Sequence, residues 1–288
     1  MLSSEEIETY KANGFLLLPS ILDAADIRRL TAAIDELLEY ADRLADKQRI
    51  ADYEPAEVGQ KVPRRIFNPF EQHAAFREIA TDQRIIDRVA SLIGKNIGLQ
   101  HSKLNMKAAK IGKAVEWHQD LTYFPHTNDD LVGVLIYLDE ANVENGCLRV
   151  VPGQHGRYFD HTLPDGSFAG MITEDMSPAS VGEPIPMEGG AGTVVMLHPL
   201  APHYSAANIS AKPRRLLIFE YRAADAFPIF NGEQVLHVES VTHHLCGEPA
   251  KFARFGGPAP AIWRPQGLPR SLFELQASSR KQLSQSAN

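Results

Sequence analysis

The residues best equipped for chemistry stand in one short stretch: Glu116, Trp117, His118, Gln119 and Asp120. Side chains alternate faces along a β-strand, so an imidazole and a carboxylate two residues apart are expected on one face. A further histidine from a distant strand would complete a set of two imidazoles and one carboxylate. That set suits non-haem Fe(II) and leaves coordination positions open for substrate and oxygen. Two histidines, His198 and His203, flank a proline-containing turn at the end of the apolar run GTVVML. Spacing alone does not choose between them. His73 falls in a helix, and His126, His155 and His161 fall in loops. His243 and His244 would face opposite ways in a strand, and His101 has no carboxylate two positions away.

A lone His-x-Asp triplet also arises by chance on a surface strand. An arginine downstream gives it context. Arg214 and Arg215 open the apolar run LLIFEY and face opposite ways there, so one of them is expected to enter the interior. A guanidinium fork makes two parallel charge-assisted hydrogen bonds to a carboxylate. It would suit the far end of a 2-oxo diacid whose keto-acid end chelates the metal.

The elements that must position these groups follow from periodicity. Ser3 and Glu6 form a capping box for a first helix, which Gly14 ends, and Phe15 to Leu18 reads as a short buried strand. Asp23 caps a second helix carrying Ile27, Leu30, Ile34, Leu37, Leu38 and Leu44 at helical spacing. The stretch from Asp46 to Pro69 is polar and reads as loop. Helical signals return from Glu71 to Ile93 and stop at Gly94. Strands are then predicted around Ile97 to Asn105, Val115 to Gln119, Leu131 to Leu138, Leu148 to Val151, Thr193 to Leu197 and Leu216 to Tyr221. Helices first and strands afterwards, with no Gly-rich nucleotide fingerprint, point to a mainly β fold with flanking helices. One domain over 1–288 is expected: a helical part over 1–95, a core over 97–245 and a long insert loop over 157–188, long enough to act as a lid. The tail beyond Arg270 is polar and reads as frayed.

Composition narrows the function. The 288 residues carry 36 acidic and 29 basic side chains, a net charge of -7, which disfavours a nucleic-acid surface. Cys147 and Cys246 form no paired motif, as in a reducing compartment. The N-terminus has no signal-peptide pattern, and no apolar run approaches the ~18 residues of a membrane span. The expectation is a cytoplasmic, soluble protein acting on a small molecule, without nucleic-acid or membrane partners, as a monomer or homodimer.

Four ordered pieces resemble the phytanoyl-CoA dioxygenase family, which includes the ectoine hydroxylases. They are HSKLNMK from His101, EWHQDLTYF from Glu116, ENGCLRVVPGQH from Glu144 and HPLAPHYSAANISAKPRR from His198. The NGFLLLP segment resembles the family too. The resemblance implies a double-stranded β-helix (jelly-roll, cupin-like) core and an Fe(II)- and 2-oxoglutarate-dependent hydroxylase that consumes O2 and releases succinate and CO2. It implies His118, Asp120 and His203 as iron ligands, with His198 at the strand end either supporting the ligands from behind or serving a structural role. It implies Arg214 as the 2-oxoglutarate anchor, six residues after Asn208, assisted by Ser205, with Asn105, Lys103 and Lys107 lining the cosubstrate end. Gly146 would support a turn and Pro152 end a strand. Trp117, Gln119, Tyr123, His155, Tyr158 and Arg222 are candidate substrate contacts.

Ala191 and Gly192 stand where the family often carries Gly-Asp, which touches a turn and no ligand. The carboxylate of Asp120 argues against the related halogenases, where that position is small. The alternatives are a cupin-type metalloenzyme that does not use 2-oxoglutarate, an oxygenase performing desaturation, cyclisation or epimerisation, and a non-catalytic β-sandwich.

Overall fold

The computed structural model describes residues 1–44, 50–55, 61–229, 243–260 and 272–286. Helix α1 (Ser4–Asn13) opens with the expected capping box: the Ser3 hydroxyl accepts from Glu6 N, and the Glu6 carboxylate accepts from Ser3 N. Gly14 ends it, and β1 (Phe15–Leu18) follows. Asp23 caps α2 (Ala24–Arg43) by accepting from Ala25 N and Asp26 N. The helical signals from Glu71 to Ile93 resolve into three helices, α3 (Pro69–Gln72), α4 (Ala74–Ala80) and α5 (Gln83–Ile93).

Among the described residues the strands form two sheets. The larger has eight strands. Its path runs β1, β9 (Val194–Leu197), β6 (Leu131–Tyr137), β11 (Arg214–Ala223), β4 (Ile97–Lys107), β3 (Pro63–Phe67) and β2 (Ala51–Tyr53), and β12 (His243–Cys246) also pairs with β4. The smaller has four strands, in the order β5 (Val115–His118), β10 (His203–Ser205), β7 (Leu148–Val150) and β8 (Ile185–Pro186). This is the double-stranded β-helix core with helices on one outer face.

Alternation along the central strands divides the apolar residues between two cores. Leu216 and Ile218 of β11 join Leu135, Leu148, Val150, Val195 and Leu197 between the sheets. Leu217 and Phe219 face the other way, onto Leu30 and Ile34 of α2, Phe76 and Ile79 of α4, and Ile85 and Val89 of α5. Burying each such side chain contributes about 1.5–3 kcal/mol, which fixes the helical layer and frees the barrel interior for polar groups.

Two stretches differ from expectation. The polar segment read as a loop contains β2 and β3, and β3 pairs with β4 at Arg65↔Asn105 and Phe67↔Lys103. Its strand character comes from that pairing and not from an apolar alternation, and part of the segment lies outside the described residues. After the short helix α6 (Pro178–Val181), the polar tail is a helix, α7 (Leu272–Ser286), with Leu275, Gln276 and Ser279 buried. Leu275 packs on Phe168, and Gln276 Nε2 donates to Gly170 O (2.7 Å). Tertiary anchoring orders a sequence whose own helical signal is weak.

Candidate iron and cosubstrate site

Strand β5 ends at His118, Gln119 stays extended at φ -123° and ψ 127°, and Asp120 opens a 3-10 turn (Asp120–Thr122). The expected strand face therefore ends one residue early, yet the extended Gln119 still brings His118 and Asp120 to the same side. Opposite them, β10 pairs antiparallel with β5 so that His203 is the Cα partner of His118. Among the described residues His118, Asp120 and His203 form the one group of potential metal ligands whose donor atoms all lie within 4.8 Å of one another, and all three are buried. His118 Nε2 lies 3.9 Å from Asp120 Oδ1 and His203 Nε2 3.7 Å from Asp120 Oδ2.

The other ring nitrogens are occupied. His118 Nδ1 lies 2.7 Å from Glu116 O and His203 Nδ1 lies 2.9 Å from Ala201 O. Each carbonyl requires a proton on Nδ1 and so leaves the Nε2 lone pair free. Burial holds both imidazoles below their ordinary range, the neutral form that ligates. Burial opposes the charge on Asp120, but Lys103, His203 and His118 together outweigh it and hold the carboxyl below its usual range. Lys103 Nζ is 3.2 Å from Asp120 Oδ1 and 3.8 Å from Glu220 Oε1. The donor set, its geometry and its charge fit a ferrous ion.

A cavity runs from these residues between the sheets, walled by Leu135, Leu148, Leu216 and Ile218. Its far end holds Arg214, Lys107 and Ser205. Arg214 and Lys107 are Cα partners across β11 and β4. Arg214 is 3% exposed; Nη2 donates to Gly146 O (2.5 Å), and the buried Nε has no hydrogen-bond partner. An unsatisfied buried guanidinium edge is costly unless an acceptor arrives, so this end fits a carboxylate. Lys107 Nζ donates to Ser205 Oγ (2.8 Å), Ser205 O (3.1 Å) and Ala206 O. Burial, helped by the charge on Arg214, pushes the Lys107 amine down to about 6. Arg215 faces away and pairs with Asp139, Nη2 to Oδ1 at 2.7 Å.

The glycine expected in the turn is required there. Gly146 has φ +76°, and a Cβ on it would lie 2.2 Å from Ala206 O. Asn105 lines the middle of the cavity and accepts from Arg65 Nε (3.0 Å). Tyr123 lines the metal end and donates to Gly170 O (2.6 Å).

The remaining sequence candidates are not in the cavity wall. Gln119 donates to Arg157 O (2.8 Å) and Leu200 O (2.6 Å) and accepts from Phe159 N (2.8 Å), which ties down the loop after β7. Trp117 packs at a tilt of 44° against Tyr204, ring centroids 4.2 Å apart. Tyr158 packs with Leu121, Leu131 and Leu200. His155 lies against His198, centroids 4.9 Å apart, and the imidazole of His198 accepts from Leu200 N (3.2 Å), so His198 stands apart from the ligand set. Arg222 donates to the carbonyls of Ala223, Ala224 and Ala226. These polar groups serve local backbone. Phe124, an aromatic residue beside the His118 motif, lines the cavity, whereas Arg65, Leu272 and Phe273 line it with no sequence signal pointing to it.

Residues 10–216 match the phytanoyl-CoA dioxygenase (PhyH) family. The chain belongs to the phytanoyl-CoA dioxygenase family. The chain is similar to a probable alpha-ketoglutarate-dependent hypophosphite dioxygenase of Stutzerimonas stutzeri, 32% identical over 234 residues, spanning 78% of this chain and 80% of the relative. A 2-aminoethylphosphonate dioxygenase from the uncultured bacterium HF130_AEPn_1 is 26% identical over 223 residues, spanning 76% and 81%. In fold the chain is similar to EctD from S. alaskensis with bound Fe, with TM-score 0.68 and 22% identity over 90% of this chain and 88% of that one. Phytanoyl-CoA dioxygenase family membership and the donor set together make the protein an Fe(II)- and 2-oxoglutarate-dependent oxygenase. Among the described residues no helix is long and apolar enough to cross a membrane.

Proposed function

We propose that His118, Asp120 and His203 hold the ferrous ion of this oxygenase, that Arg214, Ser205 and Lys107 hold the distal carboxylate of 2-oxoglutarate, and that the enzyme hydroxylates an unactivated C–H bond of a small molecule. The observation that carries the reading is the pairing of two sites in one cavity: three convergent buried ligand groups and, at the far end, a buried guanidinium with a free edge. Iron and 2-oxoglutarate, when bound, supply the oxidising power, with succinate and CO2 as by-products.

The chain supplies placement. The carbonyls of Glu116 and Ala201 fix the ring planes of the two histidines. Lys103 steadies the charge on Asp120 and orients its carboxylate. Arg214 offers a planar fork and Ser205 a hydroxyl, so a diacid is held by its far end and its keto-acid end is aimed at the ligand set. Apolar walls from Leu135, Leu148, Leu216 and Ile218 keep water from the space between. Asn105 lies midway, where it orients the Arg65 guanidinium. Both cysteines are free, which fits the reducing cytoplasm.

Succinate formation from 2-oxoglutarate, with and without Fe(II), tests the reading. Wild-type protein forms succinate only with iron, and R214A loses this at ordinary cosubstrate concentration. A protein that consumes O2 with a substrate while ignoring 2-oxoglutarate would instead be a cupin-type metalloenzyme of another kind.

A further inference from the structure

We propose that Gln119 is a positioning residue: its side-chain amide couples the loop over 157–174 to the iron ligands, so that docking of this loop sets the angle between His118 and Asp120 and the seat of His203. The inference rests on the iron assignment above and goes beyond it to a group that touches neither metal nor substrate. Gln119 is 0% exposed, and its extended backbone turns its side chain to the face opposite the ligands on either side of it. The ladder between β5 and β10 reaches only to His118 and leaves Gln119 and Asp120 outside it. Beyond the ladder, Leu121 N donates to Pro199 O (3.0 Å) and Gln119 Nε2 to Leu200 O (2.6 Å), which join the Asp120 turn to the turn before His203.

The rest of the amide is spent on the loop. Nε2 also donates to Arg157 O (2.8 Å), and Oε1 accepts from Phe159 N (2.8 Å). Both N–H groups and the carbonyl are thereby used on backbone groups of two separate segments. The torsions of Gln119 set the angle between its two neighbours, so a side chain pinned at three points holds that angle. Leu200 immediately precedes Ala201, whose carbonyl orients the His203 ring. One amide thus reaches both halves of the ligand set.

The loop is stapled to itself. Arg157 and Glu174 close it with a bidentate pair, Nη1 to Oε1 at 3.1 Å and Nη2 to Oε2 at 2.9 Å, and Thr173 N donates to Asp160 O (2.9 Å). The Arg157 guanidinium lies over the Phe159 ring, 3.7 Å from its centroid, and Phe159 packs with Val151, Ile172 and Trp117. Ile172 N donates to Trp117 O (2.7 Å) on β5. A shift at the outer staple therefore reaches Arg157 O and Phe159 N, and passes through Gln119 to the ligands as other outer partners of metal ligands act.

The test is anaerobic Fe(II) affinity, followed by the visible absorption of the iron–2-oxoglutarate complex, in wild type, Q119M, E174A and the double variant. Each is first checked for folding by its thermal midpoint. Q119M keeps the length of the side chain and removes all three bonds; E174A cuts the outer staple and leaves Gln119 in place. Q119M is expected to weaken iron about 10-fold or more and to shift the absorption band, and E174A to weaken iron about 3-fold. The double variant is expected to bind iron no more weakly than Q119M alone, which separates the amide route from the direct contact with Trp117. A loss of stability alone would lower the midpoint and leave affinity and band unchanged. Wild-type affinity and band in folded Q119M, wild-type affinity in E174A, or additive effects in the double variant overturn the inference. If Q119M does not fold, Q119E, which keeps the acceptor for Phe159 N, replaces it under the same criteria, and wild-type affinity in E174A still overturns. If wild type itself binds no iron, the underlying assignment fails; if it binds iron and the variants match it, only the role of Gln119 fails.

Discussion

His203 is the direct cross-strand partner of His118, and their ring centroids lie 4.1 Å apart. The ladder between β5 and β10 therefore builds the ligand set: a one-residue slip in either strand would turn one imidazole to the opposite face. Neighbouring imidazoles disfavour each other's protonation, and Asp120 lies close to both, so the three groups are poised for a cation. Changing His118 or His203 to Ala is expected to remove stoichiometric iron and at least ~100-fold of activity, since even outer partners of metal ligands cost about 10–100-fold. Iron content per chain and succinate formation check this, with circular dichroism confirming the fold. Full iron loading in H203A would contradict the assignment.

Arg214 makes a second prediction. Replacing it by Lys keeps the charge but loses the fork, and replacing it by Ala leaves a carboxylate without its partner. The expected cost in 2-oxoglutarate binding for R214A is about 2–5 kcal/mol, with R214K between it and wild type. The KM for 2-oxoglutarate should carry the loss while the iron content stays near one per chain.

Lys107 makes the stability of the cosubstrate-free protein depend on pH. Its amine is pushed down to about 6 in the folded state, whereas an unfolded lysine titrates near ~10.4. Between those values the unfolded chain binds more protons, so stability contributed at this site rises as pH rises from about 6 toward about 10. The penalty of burying the ammonium is fully present below about 6. Denaturant unfolding of wild type and K107M across this range should show a slope in wild type that K107M lacks. Bound 2-oxoglutarate, by placing a carboxylate beside the amine, should flatten that slope and draw in a proton, measurable as a buffer-dependent binding enthalpy.

The parts of the site legible in the sequence were those carried by local pattern. His118 and Asp120 could be paired through their spacing, and the family resemblance selected His203 over His198 and Arg214 over Arg215. The core strands were marked by apolar runs. What was hidden depends on contacts between distant segments. Arg65 lies in a polar stretch whose strand exists through pairing with β4. The helix α7 is held by Leu275 and Gln276 against a loop more than a hundred residues away, where Gln276 bonds to Gly170. Gln119 shows the reverse: it stands between two proposed ligands, yet its side-chain hydrogen bonds go to loop backbone. Sequence position reports that a polar residue is near a site, not which way its dipole is used.

The helix α7 forms part of the cavity wall through Leu272 and Phe273 and is clamped at Gly170, whose φ is +65° and where an added Cβ would lie 2.5 Å from Leu275 Cδ2. Leu275→Ala should cost about 2–5 kcal/mol if the site cannot collapse, concentrated in this helix. Hydrogen exchange should quicken across 272–286 and around Gly170 while β4 and β11 stay protected. G170A should do the same by overlap and backbone strain. Unchanged exchange in both variants would mean that the helix is held elsewhere.

The most direct test of the central claim is the anaerobic binding stoichiometry of Fe(II) and 2-oxoglutarate in wild type and H203A. Wild-type protein should bind one iron per chain and, with iron present, one 2-oxoglutarate, with both lost or greatly weakened in H203A. Tight 2-oxoglutarate binding that needs no iron, or iron held equally by the variant, would contradict a cosubstrate anchored by Arg214 and aimed at a His118–Asp120–His203 ion.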